Sequence, residues 1–88
     1  MNLFYTGRFK KDFKRMMRRN EDENQLWEVV EILQRGKPIP QKYRDHPLSG
    51  NWKNRRECHI EPDWLLVYCV KGDDLILERT GTHSDLFR

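Results

Sequence analysis

The proline-rich segment at residues 37–51 constrains the fold most, because it divides a part of the chain with helical periodicity from a part with strand periodicity. It reads KPIPQKYRDHPLSGN, contains three prolines and one glycine and follows neither period, which predicts an extended loop without further elements. Tyr43, His46 and Leu48 lie among its polar residues and indicate that the loop is anchored on the domain.

Two amphipathic helices are predicted before this loop, after a short apolar strand at residues 2–6. The first helix covers residues 8–19, with its basic side chains on the outer side. Asn20 followed three residues later by Glu23 resembles a capping box and predicts the start of the second helix, which ends at Gly36. The apolar residues that carry the helical spacing are Phe9, Phe13, Met16 and Met17 in the first helix and Leu26, Val29, Val30 and Leu33 in the second.

Three strands are predicted after the loop, at residues 52–60, 64–71 and 74–81, with short turns between them. The resulting order β-α-α-β-β-β predicts an α+β fold in which the helix pair packs on one face of a curved antiparallel sheet. A chain of 88 residues is too short for two hydrophobic cores, so residues 1–88 are expected to form a single domain. The other face of the sheet then remains available for function.

Positive charge is concentrated at residues 8–19, where seven basic residues stand against the single acid Asp12. Such a surface favours a polyanionic partner, although a solvated helix face explains the same pattern equally well. No apolar run approaches the roughly 20 residues that span a bilayer, and the N-terminus lacks the features of a signal peptide. We therefore expect a cytoplasmic protein without a membrane partner, in which Cys58 and Cys69 stay reduced and buried.

The three histidines, all in the C-terminal half, are the principal candidates for chemistry. His46 lies in the loop, His59 near the end of the second predicted strand and His83 just past the last one. A single histidine in a small protein is more often a surface or hydrogen-bonded residue than a catalyst. The joint placement of three favours a shared site.

The alternation of side chains along the strands predicts which polar residues meet. Cys58 should point to the sheet face opposite His59. The residues expected on the same face as His59 are Lys53, Arg55 and Glu57. Leu75, Leu77 and Arg79 should share a face that continues towards the end of the last strand. The exposed polar face would then gather Glu57, His59, Arg79 and His83.

Such a set can cleave RNA without a metal ion. The reaction needs a base for the ribose 2′-OH, an acid for the leaving 5′-oxygen and cations around the phosphorane, and histidine suits both proton transfers. Arg55 and Arg79 can hold phosphate oxygens, and Glu57 or Asp63 can orient an imidazole. Cross-strand ion pairs on a wet sheet face are the competing explanation, which the spacing alone favours.

The sequence contains no spacing typical of a metal or nucleotide site. No HExxH helix, CxxC pair or EF-hand loop occurs, nor does a Walker A loop, a GxGxxG turn or a GxSxG elbow. The histidine and carboxylates at residues 59–63 follow no ligand pattern. We therefore expect neither a metal ion nor a cofactor.

Three segments of the C-terminal half resemble one known family. They read YRDHPLSGNW at residues 43–52, RECHIEPDWLLVY at residues 56–68 and LERTGTHSDLF at residues 77–87. YafQ-like toxins, a branch of the RelE/ParE superfamily, carry a DHPL loop, an HxEPDW strand turn and an ERTGTH strand end in this order at similar spacing. The β-α-α start and the proline-rich loop also fit, so the resemblance covers nearly the whole chain.

The resemblance implies a compact RelE-like fold and a ribosome-dependent endoribonuclease that cleaves mRNA without a cofactor. Its partners would be a DinJ-like antitoxin, mRNA on the ribosome and ribosomal RNA, and the toxin–antitoxin complex would bind its own operator DNA. By similarity, the catalytic group is His46, His59, Asp63 and His83, with His83 as the general acid. The residues that would hold the substrate or shape the site are Arg55, Glu57, Trp64, Arg79 and Phe87.

The resemblance also gives the basic first helix a role, because it would face ribosomal RNA until an acidic or amphipathic antitoxin segment covers it. Charge reversal at Lys10, Lys11, Lys14 and Arg15 should then weaken ribosome binding. Two alternatives stay open: a ParE-like toxin of the same fold that binds a DNA topoisomerase and cuts nothing, and an inactive antitoxin-binding module. The histidine set argues against both, since neither protein would need it.

Overall fold

The computed structural model describes residues 1–87, within which three helices and five strands form. The strands are β1 (Asn2–Tyr5), β2 (His46–Pro47), β3 (Arg56–Glu61), β4 (Trp64–Lys71) and β5 (Asp74–Gly81). The helices are α1 (Gly7–Arg18), α2 (Glu23–Gln34) and α3 (His83–Leu86). The predicted order is confirmed, and β2 and α3 are additions to it. Among residues 1–87, no helix has the length and apolar character needed to cross a membrane.

The five strands form one sheet in the order β1-β5-β4-β3-β2. Strands β2 to β5 pair antiparallel, as predicted, whereas β1 runs parallel to β5 with Leu3 opposite Leu75. The prediction of a wholly antiparallel sheet is therefore wrong at this edge. No hairpin links β1 to β5, so the sequence of β1 carries no information about its direction. That direction is set at Thr6, whose hydroxyl donates to the Glu78 carbonyl and accepts from the Phe9 N–H as the cap of α1.

The helix pair covers one face of the sheet and encloses the main core. Its largest fully buried side chains include Trp64, Met16, Leu26, Leu66, Leu75 and Leu77. A smaller cluster of Leu65, Val67 and Leu86 lies on the other face, beneath α3. Strand β4 contributes to both clusters, which explains why its residues are apolar on both faces. Cys58 and Cys69 are free and buried, as predicted, and burial raises the pKa of the Cys58 thiol.

Helix α1 covers the part of β5 that extends beyond β1. Asp12 accepts the backbone N–H of Thr80 at 3.2 Å and two guanidinium hydrogen bonds from Arg79, at 2.6 Å and 3.2 Å. Asp12 is only 2% exposed and Arg79 only 8%. Each buried charge is therefore compensated by the other, and the pair ties α1 to β5.

A bulge in β5 changes the predicted face of Arg79. Tyr68 pairs with Leu77 and Val67 pairs with Arg79, so one extra residue of β5 lies between these two pairs. Because neighbouring residues on β4 point to opposite faces, Leu75 and Leu77 lie on the helix-covered face, while Arg79 starts from the opposite face and only its guanidinium reaches Asp12 of α1. The prediction that these three residues share one face is wrong, since it assumed a regular strand.

The N-terminus of α2 differs from the predicted capping box. Asn20 has a φ of 63°, a left-handed conformation that turns the chain after α1. Asp22 caps α2 instead, and its side chain accepts the Asn24 N–H at 3.0 Å. Asparagine and aspartate both occur as helix caps and in left-handed turns. The spacing from Asn20 to Glu23 therefore does not show whether Asn20 or Asp22 caps α2.

The proline-rich segment contains more regular structure than predicted. Strand β2 pairs with β3, and 3-10 turns form at Gln41–Tyr43 and Gly50–Trp52. The predicted anchoring is confirmed, because Tyr43 packs against the main core and Leu48 against the smaller cluster.

The strand predicted from residue 52 begins only at Arg56. Trp52 ends a 3-10 turn, and Asn54 has a φ of 71°, which no extended strand adopts. The predicted alternation holds only from Arg56 onward, where Cys58 faces the core and His59 the opposite side. Lys53 and Arg55 therefore do not continue the row of Glu57 and His59.

Candidate active site

Three imidazole rings form a row on the sheet face that the helix pair leaves open. His46 lies in β2, His59 in β3, and His83 is the first residue of α3. The ring centroids of His46 and His59 are 6.0 Å apart, and those of His59 and His83 are 5.8 Å apart. The predicted proximity of the three histidines is confirmed.

One ring nitrogen of each histidine is held by an oxygen acceptor. Nδ1 of His46 lies 2.7 Å from the Arg44 carbonyl, and Nδ1 of His59 lies 3.3 Å from the Pro62 carbonyl. Nδ1 of His83 lies 3.0 Å from the Asp63 carboxylate. A carbonyl or ionised carboxylate oxygen can only accept a hydrogen bond, so this geometry favours the Nδ1–H tautomer of each neutral ring. Nε2 is therefore the ring nitrogen that faces the rest of the site, and in His46 and His59 it faces the carboxylate of Glu57.

Glu57 lies between the first two rings and is only 4% exposed. One of its carboxylate oxygens is 3.7 Å from Nε2 of His46, and the other is 3.5 Å from Nε2 of His59. A carboxylate with one oxygen towards each imidazole can orient both rings and accept a proton from either. Glu57 is predicted to hold substrate, but its burial leaves it little surface for that, and its contacts are with the histidines.

Asp63 fixes the third ring from the turn between β3 and β4. One of its oxygens accepts both the backbone N–H of His83 and the ring Nδ1–H, each at 3.0 Å. The backbone hydrogen bond and then the ring contact lower the pKa of Asp63 from its ordinary value. The carboxylate therefore stays ionised and keeps His83 in one orientation.

Helix α3 is held in place by Asp85, which is not a predicted site residue. Its carboxylate accepts the Thr82 N–H at 2.9 Å, and its own N–H donates to the Thr82 hydroxyl at 3.1 Å. Arg19, the residue that follows α1, donates to both carboxylate oxygens, at 2.7 Å and 3.2 Å, and so holds the pKa of Asp85 below its ordinary range. A Cβ at Gly81 would lie 2.9 Å from this carboxylate. The spacing of Thr82 and Asp85 is a capping-box signal that could have identified the anchor.

Asp45 anchors the loop that carries His46. It accepts a hydrogen bond from the Tyr68 hydroxyl on β4 and two from Arg56, at 3.2 Å and 3.0 Å. Burial and the contact with Asp45 raise the pKa of Tyr68, so its phenol stays a donor. No local spacing marks Asp45, because its partners are 11 and 23 residues away.

Of the residues predicted to hold substrate, one lies beside the histidines and two have side chains that bond elsewhere. Phe87 lies beside the row, with its ring centroid 6.4 Å from that of His83, and is 37% exposed. Trp64 is only 1% exposed and donates its indole N–H to the Thr80 hydroxyl inside the core, so it cannot contact substrate. Arg79 faces the open side of the sheet, but its guanidinium extends to Asp12 rather than to the histidines.

Arg55 lies outside the row because residues 52–55 are not strand. Its Nε donates to the Glu78 carboxylate at 3.0 Å. It lines a cleft of about 400 Å³, together with Thr6, Arg8, Asn51, Trp52, Glu78 and Arg79. The Trp52 ring is 5.8 Å from the Phe87 ring, which links this cleft to the row of histidines. Arginines beside a half-buried aromatic ring suit a single nucleic-acid strand.

Glu57, His59 and His83 also form a group that could hold a metal ion, since one potential ligand atom of each lies within 4.8 Å of the others. The sequence predicts no metal site, because these ligands come from separate elements and follow no spacing pattern. Imidazoles bind metals in their neutral form, so a bound cation would compete with proton transfer by the same rings.

Comparison with known proteins identifies the family. The family model for YafQ, a bacterial toxin of type II toxin–antitoxin systems, matches residues 1–88. The chain belongs to this family. The mRNA interferase toxin YafQ of Escherichia coli strain K12 is 44% identical over 87 residues, which cover 98% of this chain and 95% of that toxin.

Solved structures similar to this chain confirm the predicted RelE-like α+β fold of the YafQ family. A chain of the E. coli DinJ–YafQ complex matches at 42% identity with a TM-score of 0.91, covering 99% of this chain and 98% of that one. A copper-bound mutant toxin from Helicobacter pylori matches at 45% identity with a TM-score of 0.95, covering 99% of both chains.

Proposed function

We propose that this chain is a ribosome-dependent mRNA endonuclease that uses its histidines and no metal ion. The observation that carries the proposal is the row of three imidazoles with fixed Nδ1–H groups, two of which present Nε2 to the buried carboxylate of Glu57. The E. coli relative is named an mRNA interferase, which supports the same class of activity.

Cleavage begins with attack of the ribose 2′-oxygen on the adjacent phosphorus. A P–O2′ bond forms and the P–O5′ bond breaks, so one base must take the 2′-OH proton and one acid must protonate the 5′-oxygen. The products are a 2′,3′-cyclic phosphate on one fragment and a 5′-hydroxyl on the other.

The geometry favours His83 as the acid. Its ring is more than half exposed at the end of the row, and the ionised Asp63 accepts its Nδ1–H and so fixes the orientation of the ring. His46 and His59 share Glu57, so either can take the 2′-OH proton at Nε2, and the imidazolium that forms is then paired with this carboxylate. The mRNA strand would lie along the cleft at Trp52, with Arg55 near its phosphates.

The same proposal includes the partners of a type II toxin. The E. coli DinJ–YafQ complex supports a DinJ-like antitoxin for this chain, and the resulting complex would bind its own operator DNA. The toxin would act in the cytoplasm, where the translating ribosome supplies the mRNA.

The test is to express the chain under tight induction, with and without the antitoxin encoded beside it, and to map new mRNA 5′ ends. We expect cuts inside translated codons, with 5′-hydroxyl ends that ligate only after phosphorylation. A reporter mRNA without a start codon should stay intact, and its cleavage would contradict ribosome dependence. Growth arrest without any cuts would favour the ParE-like toxin, and the absence of arrest would favour the antitoxin-binding module.

The basic face of α1 gives a second expected result. Arg15 is unsuitable for charge reversal, because it lies 3.6 Å from Asp12 and 3.7 Å from Asp85 and supports the fold. Lys11 and Lys14 are exposed and form no ion pair within residues 1–87. Lys11→Glu with Lys14→Glu should weaken binding to purified ribosomes by on the order of 10-fold at low salt, since two phosphate contacts become repulsive.

A matched control makes the same change of charge elsewhere. Lys37→Glu with Lys71→Glu alters two exposed lysines that lie after α2 and at the end of β4. Co-sedimentation with ribosomes should not distinguish this control from the wild type. Equal loss of binding in both double variants would mean that net charge, and not the face of α1, determines binding.

A further inference from the structure

Four aromatic rings enclose an open depression at the junction of β1, α1 and α2. The ring centroids of Tyr5 and Phe9 are 5.8 Å apart, and those of Phe9 and Phe13 are 6.1 Å apart. Trp27 of α2 closes the circuit, 5.6 Å from Phe13 and 6.4 Å from Tyr5. Phe9 is only 2% exposed and forms the floor, whereas Tyr5 is 45% exposed. These four residues are called the aromatic box.

The aromatic box is apolar inside and basic at its rim. Its cavity of about 300 Å³ is lined by the four rings together with Lys10 and Lys14. Boxes of this kind often bind cations, because the ring faces carry negative potential. Here two ammonium groups stand at the rim and no acidic side chain lines the cavity, so a cationic ligand is repelled.

The lining therefore selects a bulky apolar side chain that is flanked by acidic residues. Aromatic pockets that bury one apolar anchor are the usual centres of protein–protein binding energy. The acidic flanks would pair with Lys10 and Lys14 and speed association. An amphipathic helix meets both requirements, because residues one turn apart share a face.

We propose that the aromatic box is the docking site for an acidic amphipathic segment of the antitoxin. The inference rests on the proposed function only in assuming that an antitoxin exists. The aromatic box lies on the side of the sheet covered by the helices, whereas the histidines lie on the other side. The antitoxin would thus be held at a point remote from the residues that cut RNA, and a different part of it would have to cover them.

The first experiment measures binding to the purified antitoxin that is encoded beside this gene, by titration calorimetry. Trp27→Ala should weaken the affinity about 30-fold or more, because it removes one wall of the aromatic box. Lys10→Glu with Lys14→Glu should weaken it at least about 10-fold, with a larger effect at low salt. The latter pair is exposed, so it tests the proposal even where Trp27→Ala does not fold.

The control is Lys37→Glu with Lys71→Glu, which changes the net charge equally and should bind like the wild type. Trp27→Ala should also cleave mRNA at the wild-type rate when no antitoxin is present. Wild-type affinity in both box variants would overturn the proposal without affecting the proposed nuclease activity, because binding is measured without any cleavage.

A photo-crosslinking residue at position 5 identifies the occupant directly. In the toxin–antitoxin complex, crosslinks should map to an antitoxin segment in which a large apolar residue stands among acids. No crosslink to the antitoxin would contradict the proposal. Crosslinks to ribosomal RNA alone, in the ribosome-bound toxin, would assign the box to base stacking instead.

Discussion

Replacing His83 with alanine should reduce mRNA cleavage about 10²–10⁴-fold, the usual contribution of one positioned acid or base. The ring is exposed and has its hydrogen bond with Asp63 as its polar contact, so its removal should leave the fold intact. The measurement is the rate at which a purified ribosome–mRNA complex is cut, with circular dichroism to verify folding. Lys71→Ala, at an exposed position remote from the row, should cut at the wild-type rate.

Two further measurements of cleavage refine this result, one on the Asp63→Asn variant and one on toxin treated with a metal chelator. Asp63→Asn keeps an oxygen that can accept the Nδ1–H but loses the negative charge that strengthens this hydrogen bond, so we expect a smaller loss, about 10-fold. Toxin treated with a chelator and dialysed before addition to ribosomes should retain its activity. A folded His83→Ala protein with wild-type activity would refute the assignment, and activity restored only by added metal would replace acid–base chemistry with metal chemistry at Glu57 and His59.

Replacing Asp12 with alanine should destabilise the protein by about 3–5 kcal/mol, a large effect for a single residue. The substitution leaves the buried Arg79 guanidinium without its two acceptor contacts and the Thr80 N–H without its partner. In a domain of this size such a loss removes much of the total stability. Urea unfolding measures it through a lower midpoint at an unchanged slope.

An exposed ion pair on α2 provides the control. Glu31 and Arg35 are 2.6 Å apart, but each side chain is 61% exposed, so solvent screens the attraction. Glu31→Ala should therefore change the stability by less than about 0.5 kcal/mol. Similar unfolding midpoints for the two variants would show that the Asp12–Arg79 pair is no more important than a surface contact.

Periodicity and composition determined the local structure of this chain. The observed bounds of α1, α2, β4 and β5 lie within a residue or two of the predicted ones. These are the segments in which the helical or the strand period of apolar residues is regular. The three histidines were also identifiable as candidates, because few other residues transfer protons near neutral pH. Each histidine lies in the predicted loop, in a predicted strand or just past one. The family resemblance then singled out the same residues.

Only the tertiary structure decided which side chains meet. The parallel direction of β1, the late start of β3 and the bulge that turns Arg79 away from Leu77 depend on pairing between segments distant in sequence. A one-residue change of register moves a side chain to the other face, and no local pattern reports it. For this reason Arg55 and Arg79 were expected beside the histidines but form ion pairs elsewhere.

The same reason explains the residues that periodicity did not reveal. Asp12, Asp45 and Asp85 are ordinary acids in the sequence, and each becomes decisive only through a partner on another element. A carboxylate gains its role from the charge and burial that surround it, which are properties of packing and not of spacing. The sequence alone thus determined the two long helices, most of the strands and the chemical groups of this protein. The fold decided that Glu57 lies between two imidazoles and that Asp63 holds the third.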